Sequence, residues 1–201
     1  MVDVKRRTAR SRFIADYIGN YSRADKKNTS NNHRIDTYYD IFMTSDLFWR
    51  TVFAEYYRDT FKNISDQVTA DTSFGYNLIR TPKTEWEVSS GIGALYKRFD
   101  SVQPGVDIDH VSPAIGFGTR FDTKLRSWLD YLFDTRITIA DKESGKYIQH
   151  LVTTLESDII SDLHLDITFI WDRVGHPQPT ADGSVPKKDD YQLVVGVAYE
   201  F

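Results

Sequence analysis

The sequence predicts an all-β chain folded as an antiparallel, up-and-down transmembrane β-barrel, and three observations predict it. Apolar and polar residues alternate with period two along nearly the whole length, the signature of strands with one greasy face. The connections between these segments are short and long in turn. Aromatic residues reach 14 %, with 12 Tyr, 12 Phe and 4 Trp, more than one packed lumen would hold but suited to a lipid-facing belt.

The strand candidates run as follows. Val2 to Thr8 is a short first segment, and in the next Phe13, Ala15, Tyr17, Gly19 and Tyr21 oppose Ile14, Asp16, Ile18 and Asn20. Ile35, Thr37, Tyr39, Ile41 and Met43 oppose Arg34, Asp36, Tyr38, Asp40 and Phe42. Leu47 to Phe61 reads with Trp49, Thr51, Phe53 and Tyr57 outward, which puts Glu55 on the apolar face. Val68, Ala70, Thr72, Phe74, Tyr76 and Leu78 oppose Gln67, Asp71, Ser73, Gly75 and Asn77; Trp86, Val88, Ile92, Ala94 and Tyr96 oppose Glu85, Glu87, Gly91, Gly93 and Lys97. Val111, Pro113, Ile115, Phe117, Thr119 and Phe121 face away from Ser112, Ala114, Gly116, Gly118 and Arg120. Leu129, Tyr131, Phe133, Thr135, Ile137 and Ile139 alternate with Asp130, Leu132, Asp134, Arg136 and Thr138. Tyr147 to Leu155 is weakly amphipathic. Leu163, Leu165, Ile167, Phe169 and Trp171 alternate with His164, Asp166, Thr168, Ile170 and Asp172, and Tyr191 to Phe201 closes the series with its odd positions large and apolar.

These make eleven strands, most of them longer than the ~5–6 residues of an ordinary globular sheet. Tight turns are expected at Ala9-Arg10, Ser45-Asp46, Thr81-Pro82-Lys83, Asp122-Thr123-Lys124 and Ser157-Asp158, and longer polar loops at Ala24 to Asn32, Lys62 to Asp66, Asp100 to Asp109, Ala140 to Lys146 and Gly175 to Asp189. Short turns at one rim and long loops at the other describe a single outer-membrane barrel domain over residues 1–201. A closed bacterial barrel has an even strand number, so this reading expects a leader and one further strand before Val2, about twelve strands in all. The alternative is a soluble lipocalin-like ligand-binding barrel or a β-sandwich, which also alternate but point the apolar face inward. Alternation alone fits both; the volume of the aromatic and branched side chains favours the lipid-facing arrangement.

Composition and motifs exclude much else. The charge balance of 25 Lys+Arg against 29 Asp+Glu lacks the basic excess of a nucleic-acid binder. With no cysteine, thiolate nucleophiles and cysteine zinc sites are excluded. No apolar run is long enough for a membrane-spanning helix, and the first residues lack the apolar core of a secretory signal. No Gly-x-Ser-x-Gly, His-Glu-x-x-His or phosphate loop occurs, so the chain is expected not to be an enzyme and to carry no cofactor or metal. His33, His110, His150, His164 and His176 are dispersed; His164 and Asp166 share an inward face, with His150 near, and read as hydrogen-bonded lumen groups. Gly91, Gly93, Gly116 and Gly118 fall on one strand face each and make room in the lumen or allow curvature. Asp107-Ile108-Asp109-His110 has too few ligands for calcium.

The inward face carries Asp16, Arg34, Asp36, Asp40, Arg50, Arg58, Asp71, Glu87, Lys97, Arg120, Asp130, Asp134, Arg136, Asp166, Asp172 and Glu200. Charges of both signs either line a water-filled path for small ions or solutes, or neutralise one another in a largely filled interior. Barrels of about eight strands are packed by side chains and those of sixteen leave a channel, so a lumen of intermediate size favours the filled reading.

Asp172, Pro177, Pro179, Lys187-Lys188-Asp189 and Leu193 to Phe201 together resemble the ending of the YdiY-like family of salt-induced outer-membrane proteins. Phe53-Ala54, Tyr57-Arg58-Asp59, Phe61, Gly75 to Thr81, Gly91-Ile92-Gly93 and Tyr96 follow in the matching order. The resemblance implies a barrel in the outer membrane of Gram-negative bacteria and supplies no catalytic residues. Val197, Tyr199 and Phe201 at alternating terminal positions resemble the signal read by the bacterial barrel assembly machinery. The function expected is a non-enzymatic outer-membrane barrel, either a narrow pore or a plugged structural barrel, in contact with outer-membrane lipid; a lipid-modifying barrel enzyme is the alternative.

Overall fold

The computed structural model describes the backbone of residues 2–24, 27–160 and 163–199. Eleven antiparallel strands follow in chain order: β1 (Val2–Arg7), β2 (Ser11–Ala24), β3 (Lys27–Phe42), β4 (Leu47–Asp59), β5 (Ile64–Arg80), β6 (Thr84–Phe99), β7 (Asp109–Arg126), β8 (Leu129–Ile139), β9 (Tyr147–Ile160), β10 (Leu163–Val174) and β11 (Asp189–Tyr199). Each bonds to its sequence neighbour in one sheet, so no crossover is needed and every connection is a hairpin. The sheet curls until side chains of β3 and β10 touch across the interior, where Arg34 meets Asp172. Among the described residues no ladder joins β1 to β11. The longest strands, β5 with 17 residues and β7 with 18, exceed the ~9–11 residues that cross a hydrocarbon core and extend beyond it.

The two faces settle between the soluble and the membrane arrangement. Outward side chains are apolar and bare: Leu193 is 70 % exposed and Ile92 69 %, with Ile115, Phe117, Ile167 and Val195 also exposed. Inward positions hold the buried ionisable groups Arg12, Arg34, Asp40, Glu87 and Lys97. This is the inverse of a soluble barrel, and a surface so apolar is stable only against lipid. Aromatic side chains band both ends of the outer face. Near the short turns Trp49 stacks on Phe74, and Phe121 packs against both Trp86 and Tyr131; near the long loops Tyr191 stacks on Phe169 and Trp171. The indoles of Trp49 and Trp86 donate to Thr72 and Thr119, each at 2.9 Å, the amphipathic use of aromatics that suits a membrane interface.

One strand breaks the expected phase. In β4 the register against β5 shifts between Arg50 and Phe53. Phe48 and Arg50 point inward before this bulge, Val52 is exposed, and Phe53, Glu55, Tyr57 and Asp59 are buried after it. A single phase through the segment places Phe53 and Tyr57 outward, Glu55 on the greasy face and Arg58 inside. The extra residue of a bulge exchanges the faces: Phe53 and Tyr57 enter the lumen with Glu55, and Arg58 is exposed on the outside.

The hairpin ends differ in four places. β7 runs through Asp122-Thr123-Lys124, which pair with Leu132, Tyr131 and Asp130, so the turn is Ser127-Trp128. β9 likewise continues through Ser157-Asp158 to Ile160. The stretch expected as a loop from Ala24 to Asn32 is mostly ladder, with Arg23 opposite Asn28 and Ala24 opposite Lys27. The Lys62 to Asp66 loop shrinks to a 3-10 turn over Thr60–Lys62, capped by Asp59, with Asn63 in the left-handed region at φ 59°, which asparagine tolerates. In each case polar residues read as a turn belong to strand ends beyond the lipid, where water satisfies side chains of either face.

A charge placed on the outer belt should therefore be costly. Ile167→Arg or Phe117→Arg should lose about 2–4 kcal/mol in a urea titration of protein folded in lipid vesicles, whereas Thr154→Lys, pointing into the lumen, should lose well under half of that.

Candidate functional site: a charged lumen

The lumen is organised in tiers, each an ion pair laid on an aromatic ring. The first tier lies near the short turns. Arg12 on β2 donates to Asp40 at 2.5 and 2.9 Å and to Glu87 at 2.8 and 3.0 Å. Arg50 on β4 donates to the same Asp40 at 2.8 and 3.2 Å, and stands 3.7 Å from Glu87. Two cations and two anions so form a closed square with every side chain at most 8 % exposed. The Arg50 guanidinium lies 3.8 Å over the Tyr38 ring, and Arg12 lies 5.3 Å over Phe48, a contact that strengthens where water is excluded.

At mid-height Arg136 on β8 crosses to Asp71 on β5 and lies 3.8 Å over Phe53. The glycines of β6 and β7 make this crossing possible. A Cβ on Gly116 would stand 2.4 Å from the Arg136 guanidinium, and Cβ atoms on Gly91 and Gly93 would meet the β5 backbone at 2.2 and 2.0 Å.

The third tier lies toward the long loops. Arg34 bridges Glu55 on β4 and Asp172 on β10, the latter at 2.7 Å, and lies 4.3 Å over Tyr57. His150 Nδ1 is 2.7 Å from Asp172, and Lys62 reaches the Asp172 carbonyl at 3.5 Å.

Above it the loops interlock. Asn63 donates to the carbonyls of Ser101 at 2.8 Å and Gln178 at 3.2 Å, tying two long loops to one turn. Ser144 and Gly145 of the loop after β8 turn inward and are buried. The fully buried Lys97 donates to the Ser144 carbonyl at 2.6 Å, and the Ser112 and Ser144 hydroxyls pair at 2.9 Å. At the base of that loop Asp141 sits 2.5 Å from the His110 ring. Partial burial alone would raise the Asp141 carboxyl; the hydrogen bonds from His110 and from Ser144 outweigh it and hold the group below the usual range. Between the first and third tiers a cavity of about 150 Å³ remains.

Of the residues proposed from sequence to line the lumen, Asp36, Asp40, Asp71, Glu87, Arg120, Asp134, Arg136 and Asp172 stand in these tiers or around this cavity, and Lys97 lies above them against the Ser144 loop. Asp130 and Asp166 lie apart at the short-turn rim, both opposite Glu156 in register. Glu200 and Phe201 fall outside the described residues, as do the contacts of the Tyr199 side chain; Val197 is 66 % exposed on the outer face. Arg12 and Glu55 were missed. Arg12 keeps phase with Ile14 and Asp16, so alternation alone would have found it; Glu55 was hidden by the bulge.

Apolar outside, charged inside and joined strand to strand by hairpins alone, the molecule has a β-barrel fold of the outer-membrane type. The chain belongs to the family described as "Protein of unknown function, DUF481", whose model matches residues 1–201. A solved structure described as "NanC porin structure in rhombohedral crystal form" shares the fold at a TM-score of 0.57 and 11 % identity, covering 99 % of each chain. No curated protein matches the sequence.

Opening the first tier should be costly in a way surface charge is not. Glu87→Gln leaves Arg12 and Arg50 sharing one carboxylate in a water-poor site, and should cost about 3–5 kcal/mol in a folding titration. Asp130→Asn, whose partner Lys124 is 3.8 Å away and 60 % exposed, should cost at most about 1 kcal/mol.

Proposed function

We propose that this chain is a non-enzymatic barrel of the Gram-negative outer membrane whose lumen is closed at rest by its own side chains. The observation that carries this reading is that ion pairs join non-neighbouring strands at three heights: β2 to β6 through Arg12 and Glu87, β5 to β8 through Asp71 and Arg136, and β3 to β10 through Arg34 and Asp172. Each obstructs a path along the barrel axis, and the interlocked loops cover the long-loop end. Any passage is then confined to water and small ions, and only when a tier parts.

Several further points support it. The rings of His110 and His150 are each held by a carboxylate, at 2.5 and 2.7 Å, and among the described residues no hydroxyl is hydrogen-bonded to either ring, whereas the lipid-modifying alternative needs a hydroxyl nucleophile within reach of a base. The similarity to a porin fold and the exposed apolar belt favour the outer membrane, with its lipid and the barrel assembly machinery as partners, the latter through Val197, Tyr199 and Phe201. The resemblance to the YdiY-like family supports a salt-induced role.

Conductance across planar bilayers tests the closed lumen. The wild-type protein should be silent or show rare small openings. The double variant Arg12→Ala with Glu87→Ala, which removes both partners of one crossing, should conduct several-fold more. A steady open current from the wild type, unchanged in the double variant, would contradict the proposal.

A further inference from the structure

The cavity between the tiers has an electrically divided wall. On one side Asp16, Asp36 and Glu55 stand at directly opposed positions of β2, β3 and β4. Glu55 is satisfied by Arg34, with Gln67 at 3.4 Å and Thr69 at 3.5 Å. Asp36 is different: its Oδ1 is buried without a hydrogen-bond partner, and the nearby basic groups Arg34 and His150 are engaged by Asp172.

On the other side is the mirror deficiency. Arg120 of β7 stands 3.6 Å from Asp134 and makes no hydrogen bond among the described residues, although its side chain is only 16 % exposed. The Arg136 Nε is buried and also without a partner. All three side chains line the same cavity, together with Lys5 and His150 and with apolar surface from Ile18, Leu132 and Val152. In the first and third tiers the charges satisfy one another; around this cavity a carboxylate oxygen and guanidinium N–H groups remain without hydrogen-bond partners among the described residues, and an unsatisfied buried polar group is costly.

We infer that this cavity is a binding site for a small zwitterion, its ammonium group taken by Asp36 and its carboxylate by Arg120 and the free Nε of Arg136. Charge selects the class. A simple anion would leave Asp36 unanswered, and a simple cation would leave unfilled the N–H groups of Arg120, which Asp134 at 3.6 Å does not reach by hydrogen bond, whereas a ligand of net charge zero completes both. Size narrows it: a cavity of about 150 Å³ accommodates a molecule of roughly six non-hydrogen atoms, the scale of a short amino acid. The inference does not depend on conduction, since equilibrium binding is measured on protein in detergent; a failed conductance experiment leaves it standing.

Calorimetric titration of the refolded chain tests it with L-alanine and γ-aminobutyrate as zwitterions of two charge separations, and butyrate and propylammonium as their single-charge counterparts. At least one zwitterion should bind ten-fold or more tightly than either counterpart, and Asp36→Asn and Arg120→Gln should each weaken it ten-fold or more. Leu132→Trp, which fills the apolar wall, should abolish binding without touching a charge and serves if either polar variant fails to fold, as judged by gel mobility before and after boiling. Butyrate binding that survives Asp36→Asn, propylammonium binding that survives Arg120→Gln, or no heat with either zwitterion would each overturn the assignment.

Discussion

The structure depends on one constraint: a wall surrounded by hydrocarbon offers its ionised side chains no solvent but the lumen, so they must neutralise one another there. Arg12, Asp40, Arg50 and Glu87 meet this in the most closed form, two of each sign and all nearly buried. Removing any member leaves an uncompensated charge in a water-poor site, far costlier than the pair itself is worth. The square is therefore a device of specificity as much as of stability. Its partners come from β2, β3, β4 and β6, and it forms only when the curl brings these strands to one place.

Aromatic residues inside the lumen translate that constraint into geometry. Phe48, Phe53 and Tyr57 of β4, with Tyr38 of β3, give each arginine a flat face on which to lie. An arginine stacked in this way loses little further rotamer freedom when it pairs. Three of these rings come from a single strand because the bulge after Arg50 exchanges the faces. Without it, Phe53 and Tyr57 would face lipid, and the upper two arginines would lose their platforms. Gly91, Gly93 and Gly116 do the complementary work opposite, lowering the far wall so that Arg136 can reach Asp71.

Most of the fold was legible in the sequence, since alternation of apolar and polar residues is imposed residue by residue by the lipid. Ile167, Phe169 and Trp171 could hardly face anywhere else once Thr168, Ile170 and Asp172 were turned inward. What was not legible follows from physics that alternation does not encode. A bulge adds one residue without marking it in composition, so Phe53, Glu55 and Tyr57 were assigned to the wrong face. Strand ends beyond the lipid are polar on both faces, so Asp122 to Lys124 and Ser157-Asp158 read as turns. The lumen charges could be named from sequence, but their pairing could not. Arg34 finds Asp172 across 138 positions, a contact set by curvature rather than by local pattern.

The aromatic platforms of the lumen depend on the phase change in β4, and the absence of native cysteine makes it directly measurable. Single cysteines introduced at successive positions from Trp49 to Tyr57, labelled with a fluorophore and read in vesicles containing brominated lipid, report which side chains face hydrocarbon. Quenching should be strong at Trp49 and Val52 and weak at Arg50, Phe53, Glu55 and Tyr57. Unbroken alternation, with Trp49, Thr51, Phe53, Glu55 and Tyr57 all quenched, would contradict the bulge and with it the aromatic platforms on which the lumen charges lie.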